Sequence, residues 1–321
     1  MNNYLQLEYP YYNLYYEFIK KDFLKLVKNY IPEIYNEVPY KLKNSNLEKY
    51  NGSYFIIRDD YRKTAEINNI TDYFSESVRI NCKFGNHPTP LQYWSNNKHN
   101  ILKKTLDKYK KINIYNIRET IFFNSHLCNN FRISVSLEVL KYFKVKKWLD
   151  ISCGWGDRLI SALLYKVKLY VSCDPNLDLH PYYVNMIDTF ASSNKRKDFI
   201  IYPNGFLEAP IEDNNFDIVF SSPPFFTLEK YSDYSEDSLK KYKSEKIWCT
   251  NFFIKSLIKA YNLLNKNGHI VLYMGGSDYV MQSMHKLDKI MKYEGVIYFY
   301  DTKPRGMFVW KKLNNKKIIN L

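Results

Sequence analysis

The residues most able to do chemistry fall in three places. The first is Asp150-Ile-Ser152-Cys-Gly154-Trp-Gly156-Asp157-Arg158, which follows an apolar run. Gly-x-Gly at the carboxyl end of a first strand lets a ligand approach the backbone closely, because glycine has no side chain and tolerates positive φ. An ordinary strand-to-helix turn reads the same way. A dinucleotide fingerprint needs a third small residue at position 159, where Leu159 stands, and no GxxxxGK[ST] run occurs. Nicotinamide, flavin and phosphate-loop chemistries are therefore disfavoured. A short glycine loop preceded by an acid suits a nucleoside ligand that lacks a pyrophosphate.

The second place is Asp174, which ends the next apolar run 24 positions after Asp150. An acid there can accept both ribose hydroxyls of a nucleoside. Asp174-Pro175 also reads as a helix N-cap with proline at the first helical position. The third place is Ser222-Pro223-Pro224-Phe225 at the end of the run Phe216 to Ser221. Two prolines fix the local backbone, remove two N–H donors and leave carbonyls free to accept. Ser222 Oγ and the Pro223 carbonyl could then accept the two hydrogens of an exocyclic amino group. Phe225 offers a face on which a planar base can stack.

Elements that would position these residues are legible as an alternation. The pattern predicts strands over 145–151, 168–173, 199–202, 216–221 and 269–274. Between them it predicts helices over 157–166, 177–191, 238–264 and 279–291. Two closing strands over 296–300 and 307–311 are near enough to form a hairpin, and alternating βαβ units imply a mostly parallel sheet covered by helices. Before residue 115 the chain is richer in aromatic, helix-like stretches: 15–30, with Phe18, Phe23, Leu26 and Val27 on one face, and a basic helix over 91–111. Short strands are expected at 54–57 and 78–80. The expected division is 1–114, an α-rich aromatic and basic domain, and 115–321, the domain that carries the site.

Taken in order, Gly154-x-Gly156, Asp174 and Ser-Pro-Pro-Phe resemble the S-adenosylmethionine-dependent amino-methyltransferases of nucleic acids, whose signature is [Asn/Asp/Ser]-Pro-Pro-[Tyr/Phe/Trp]. The Gly-Trp-Gly-Asp-Arg helix start and the Ser-Pro-Pro-Phe-Phe-x-Leu-Glu-x-Tyr-Ser run are similar to those of DNA methylases from phages and large DNA viruses. The resemblance covers about residues 115 to 312. It implies an α/β fold, a Rossmann-like class I methyltransferase sheet with a terminal antiparallel hairpin, and S-adenosylmethionine as cofactor. It implies Asp150, Ser152, Gly154, Gly156 and Asp174 as cofactor-binding residues. Phe131 joins them from the helix before the glycine loop. Glu208 or Asn204 would hold the adenine amino group, although the usual Gly-Asp is absent there. Ser222, Pro223, Pro224 and Phe225 would be catalytic. The implied reaction methylates adenine N6 or cytosine N4, in DNA first and RNA second. A non-catalytic nucleic-acid-binding homologue and a protein-amide methyltransferase are the rival readings.

Composition agrees with a polymer partner. The 321 residues include 47 Lys plus Arg against 33 Asp plus Glu, a net charge of +14. Such an excess supports binding to polyanions, although a genome biased toward Lys, Asn, Ile and Tyr codons would also produce it. Tyr93, Trp94, Lys98, Lys103, Lys104, Lys110 and Lys111 combine aromatics with a basic helix, which suits either phosphate contact or a solvated face. Residues 303–321 carry six basic residues and no acid. Thr227 to Lys246 is polar and aromatic, and there Glu229 and Tyr231 are candidates for substrate contact. With no separate recognition domain after the Pro-Pro motif, the N-terminal region or a partner subunit would supply target recognition. Five scattered cysteines form no zinc-type pair, so no metal and no disulfide framework is expected, and the compartment reads as reducing and intracellular, the cytoplasm. No apolar run is long enough to span a membrane, and the N-terminus does not read as a signal peptide.

Overall fold

In the computed structural model the described residues are 2–12, 24–29, 34–35, 54–56, 67–212, 215–224, 226, 229–231, 238–275, 277–299 and 306–321. Along the chain come β1 (Ile34–Tyr35), β2 (Tyr54–Ile56), α1 (Asp72–Arg79), β3 (Lys83–Phe84), α2 (Pro90–Tyr109), α3 (Ile114–Ser125) and α4 (Ile133–Tyr142). Then follow β4 (Lys147–Leu149), α5 (Asp157–Tyr165), β5 (Leu169–Cys173), α6 (His180–Phe190), β6 (Phe199–Tyr202), β7 (Phe216–Ser221) and β8 (Glu229–Lys230). The last are α7 (Ile254–Leu263), β9 (Leu264–Tyr273), α8 (Asp278–Met284), β10 (Lys292–Phe299) and β11 (Gly306–Lys311).

The main sheet runs β1-β2-β10-β11-β9-β7-β4-β5-β6. β6, β5, β4, β7 and β9 are mutually parallel, and β11 is antiparallel to both β9 and β10. Strands buried on both faces read as near-continuous apolar runs, and β7, Phe-Asp-Ile-Val-Phe-Ser, is one. Alternate residues serve opposite faces. Trp148, Ile218, Phe220 and Val309 pack with α4, α5 and α6. Leu149, Val219, Ile270 and Trp310 pack with α7 and α8. The result is a three-layer α/β/α arrangement, with the expected antiparallel hairpin at β10–β11. The order and directions are those of a Rossmann-like class I methyltransferase sheet.

The N-terminal region adds to this frame. β2 pairs parallel to β10, and β1 pairs antiparallel to β2. α2 and α3 enclose a separate apolar cluster with Tyr9, Trp94, Ile101 and Ile121. β3 pairs with β8 in a small second sheet. No helix among the described residues is long and apolar enough to cross a membrane.

Three local expectations are corrected. Residues 78–80 form the end of α1 and its cap rather than a strand. β-branched residues favour strands only where packing agrees, and here Val78 packs against the cluster on the sheet while Ile80 is buried with Trp94 and Ile101. The helix expected over 238–264 is broken. Short turns at Ser238–Lys241 and Glu245–Trp248 lead through a π-helical turn, Cys249–Phe253, into α7. A π turn places residues five apart together, and Trp248 and Phe253 stack at 5.3 Å. Asp174 does not cap a helix, because Asn176 caps the 3-10 turn Leu177–Leu179. Of the helix expected over 15–30, Leu24–Asn29 lies among the described residues and is helical.

Candidate active site at the carboxyl ends of β4, β5 and β7

The glycine loop leaves β4 and enters α5. Gly154 has φ +62° and Gly156 φ +97°, conformations that favour glycine. A side chain at 156 would meet Met186 Sδ at 2.5 Å, so α6 packs directly on the loop there. At 154 the nearest atom to such a side chain is Arg158 Nη2 at 3.8 Å, which leaves the backbone open to a close approach.

Asp150 is fully enclosed. Its Oδ2 accepts from Arg158 Nε (2.8 Å) and from the Tyr170 hydroxyl (2.8 Å), and its Oδ1 accepts from the Ser152 N–H (3.3 Å). Arg158 also donates to the Ser152 carbonyl and lies 5.6 Å from the Phe131 ring. Buried charge is tolerated when it is paired and hydrogen-bonded, and here the pair ties the end of β4 to α5. Burial pushes the Tyr170 phenol well up, and the Asp150 carboxylate adds to the shift, so the phenol remains a donor.

Asp174 stands at the tip of β5, 7% exposed. Its Oδ2 accepts from the Gly154 N–H (2.9 Å) and its Oδ1 from the Asn176 N–H (3.0 Å). Each oxygen keeps an acceptor direction. Burial pushes its carboxyl up to about 6, against the lowering effect of those two N–H groups. Beside it, Asn176 Nδ2 is buried without a hydrogen-bond partner. A buried carboxylate and an orphaned amide donor next to an open glycine backbone suit the vicinal diol of a ribose.

The Pro-Pro loop comes from the neighbouring strand. Ser152 Oγ donates to the Ser222 carbonyl at 2.9 Å, joining the two loops directly. Pro223 is buried, while Ser222 and Pro224 are half-buried. Trp148 Nε1 donates to the Phe220 carbonyl (2.8 Å), with the two rings stacked at 5.3 Å. Enclosing a side chain of that size stabilises the strand ends by roughly 1.5–3 kcal/mol. Phe225 lies outside the described residues. Phe131 stands 5.6 Å from Phe220 and 5.4 Å from Tyr273, so it lines the carboxyl ends of β7 and β9.

Thus Asp150, Ser152, Gly154, Gly156, Asp174, Ser222 and Phe131 are brought together. Glu208 is engaged elsewhere, its carboxylate paired with Lys241 Nζ at 2.8 Å. Partial burial raises its pKa, but the Lys241 hydrogen bond, a backbone N–H and the charges of Lys241 and Lys259 together hold it below the ordinary value. Glu229 is mostly buried and accepts from the Tyr231 hydroxyl, and burial raises its carboxyl. Trp94 is fully buried, and its Nε1 donates to Leu7 O (3.2 Å). Lys98 Nζ donates to the carbonyls of Leu5 and Leu7. Both therefore hold the N-terminal segment around Leu5 and Leu7 rather than face a polymer.

Sequence reasoning missed the support from α1. Thr71 Oγ1 donates to Asp157 Oδ1 (2.6 Å), and Ser75 Oγ donates to the Trp155 carbonyl (2.8 Å). The Phe131 N–H donates to Asp157 Oδ2 at 3.2 Å. Burial pushes the Asp157 carboxyl up to about 7, with the Thr71 hydrogen bond opposing. Behind α1 lies a buried charge cluster in which Arg79 and Arg118 pair with Asp72 and Glu76. The one local signal was the acid in the first turn of α5; the contacts themselves span 80 residues or more.

No family model and no curated protein matches the chain. Solved structures similar to it include a methyltransferase from Pyrococcus furiosus, 16% identical over 57% of this chain and 84% of that one, at a TM-score of 0.40. A tRNA (m1A58) methyltransferase from Aquifex aeolicus is 12% identical over 57% and 70%, at 0.39. An S-adenosylmethionine-dependent O-methyltransferase from Thermotoga maritima is 11% identical over 59% and 68%, at 0.38. The strand order, rather than these distant likenesses, sets the fold: an α/β sheet of the class I methyltransferase kind, with a glycine loop and a Pro-Pro loop joined at adjacent strand ends.

Proposed function

We propose that the protein transfers a methyl group from S-adenosylmethionine to an exocyclic amino group of a base in DNA, adenine N6 or cytosine N4. The observation that carries this reading is the Ser152–Ser222 hydrogen bond, which sets the Pro-Pro loop against the glycine loop. Gly154 and Gly156 admit the cofactor to the backbone, and Asp174 accepts its ribose hydroxyls while Asn176 Nδ2 donates to one of them. Asp150 holds the loop through Arg158, Phe131 lines the pocket, and Asn204, or Glu208 once released from Lys241, is the candidate for the adenine amino group. The cofactor supplies an electrophilic sulfonium methyl.

The chain's own groups do the rest. Ser222 Oγ and the Pro223 carbonyl accept the two hydrogens of the target amine. That draws the nitrogen toward a pyramidal shape and stabilises its developing positive charge. Pro224 fixes the loop, so the amine is held in line with the methyl. A base taken out of a duplex needs a replacement for its lost stacking, the role proposed for Phe225. The segment 1–114, alone or with a partner subunit, presents the target. All five cysteines are buried thiols, the state a reducing compartment such as the cytoplasm maintains.

The test is radiolabelled methyl transfer to DNA and RNA pools, followed by nucleoside mass spectrometry. Label in N6-methyladenine or N4-methylcytosine of DNA is expected. Label confined to RNA, to protein or to no acceptor overturns the substrate.

A further inference from the structure

A strand of nucleic acid must reach the Pro-Pro loop, and with Trp94 and Lys98 facing inward the first part of α2 offers little to hold it. The exposed chemistry lies farther along. Phe123 on α3 is 55% exposed, and Lys108 Nζ of α2 stands 4.1 Å from its ring centroid. One turn on, His126 ends α3 in the left-handed region. Its exposed ring lies 4.1 Å from the exposed ring of His87 and 6.1 Å from Phe84. Phe84 belongs to β3, whose partner β8 begins at Glu229, five positions after Pro224. In that ladder Lys83 lies directly opposite Lys230. Lys83, Lys103, Lys104 and Lys108 form no ion pair with a carboxylate among the described residues.

Rings and lysines therefore follow one another from the end of α3 to the loop that would hold the target base. Phosphate contacts alone would need only the lysines. Exposed rings add something only for bases whose faces are open, and a duplex hides those faces. We propose that Phe123, His126 and His87, flanked by Lys108 and Lys83, form a track for single-stranded DNA that leads its bases to the Pro-Pro loop. The track rests on the nucleic-acid reading above and narrows it to the form of the polymer.

Fluorescence anisotropy of the full chain with labelled oligothymidine, and with a duplex, tests it. Phe123→Ala and the double variant His87→Ala/His126→Ala should each weaken single-strand binding by about tenfold. Lys83→Glu should weaken it and reduce the slope of log affinity against log salt by about one. S-adenosylhomocysteine binding, measured by calorimetry, should be unchanged in all three, which shows that they are folded. Wild-type binding to oligothymidine with all variants equal to it overturns the track alone. Tighter wild-type binding to duplex than to single strand does the same. Wild type that binds S-adenosylhomocysteine but neither DNA form overturns the track together with the DNA target. Failure to bind S-adenosylhomocysteine overturns the cofactor reading and leaves the anisotropy result to decide the track.

Discussion

The glycine loop and the Pro-Pro loop leave adjacent parallel strands, yet they are held in different ways. The first is clamped from all sides. Asp150–Arg158 lies beneath it, Asp174 and the Tyr183 hydroxyl bond its Gly154 amide and carbonyl, and Thr71 and Ser75 reach it from α1. Among the described residues the second is held by its own prolines, by Trp148 behind it and by the hydrogen bond from Ser152. A ligand that is the same in every turnover suits a fixed cradle. A target that arrives within a polymer suits a loop with fewer ties. The difference locates rigidity where the ligand is constant.

Four variants would sharpen or break that contrast. Arg158→Ala leaves a buried carboxylate without its partner and should cost about 3–5 kcal/mol, read by urea denaturation. A loss under about 1 kcal/mol would mean that the clamp is not what fixes the loop. Gly156→Ala forces a side chain onto Met186 in a left-handed backbone and should cost about 1–3 kcal/mol, partly recovered by adding Met186→Ala. Asp174→Asn should weaken S-adenosylhomocysteine binding about tenfold near neutral pH and remove its pH dependence. In the wild type, with the carboxyl raised to about 6, binding should weaken below that pH, as the acceptor is protonated, and level off near the roughly tenfold lower affinity of the Asn variant. Folding responds in the opposite sense. A carboxyl raised from 3.8 to about 6 gives its full stabilisation below 3.8 and loses it as the pH rises through 6, so mild acid favours the fold while it disfavours the ligand. Calorimetry and thermal melts across about pH 4 to 7, which spans the free and folded values, would read both. Ser152→Ala should cost only about 1 kcal/mol of stability, with methyl transfer falling more than cofactor affinity. Equal losses in the two would erase the distinction between the loops.

How far the sequence reveals this depends on the range of the interactions. β6 and β7 fall where their apolar runs begin and end, at Phe199–Tyr202 and Phe216–Ser221. The glycine loop is legible because positive φ restricts the choice of residue locally. Residues 78–80 mislead because β-branched residues there serve a helix face chosen by distant packing. Thr71 and Ser75 leave no periodic trace, since each matters through a distant contact made after folding. Trp94 and Lys98 look like a binding surface because an inward aromatic and a snorkelling lysine have the same letters as outward ones.

β11 is the last strand in sequence but lies inside the sheet, between β9 and β10. Until β11 pairs, the edges of β9 and β10 that it joins stay open. The pairing of β2 with β10 joins residues near 55 to residues near 298, a second long-range closure. Such late, long-range closure slows folding and keeps strand edges open to other chains. The vulnerable state of this sheet is therefore the one before β11 pairs, when the middle of the sheet is still exposed.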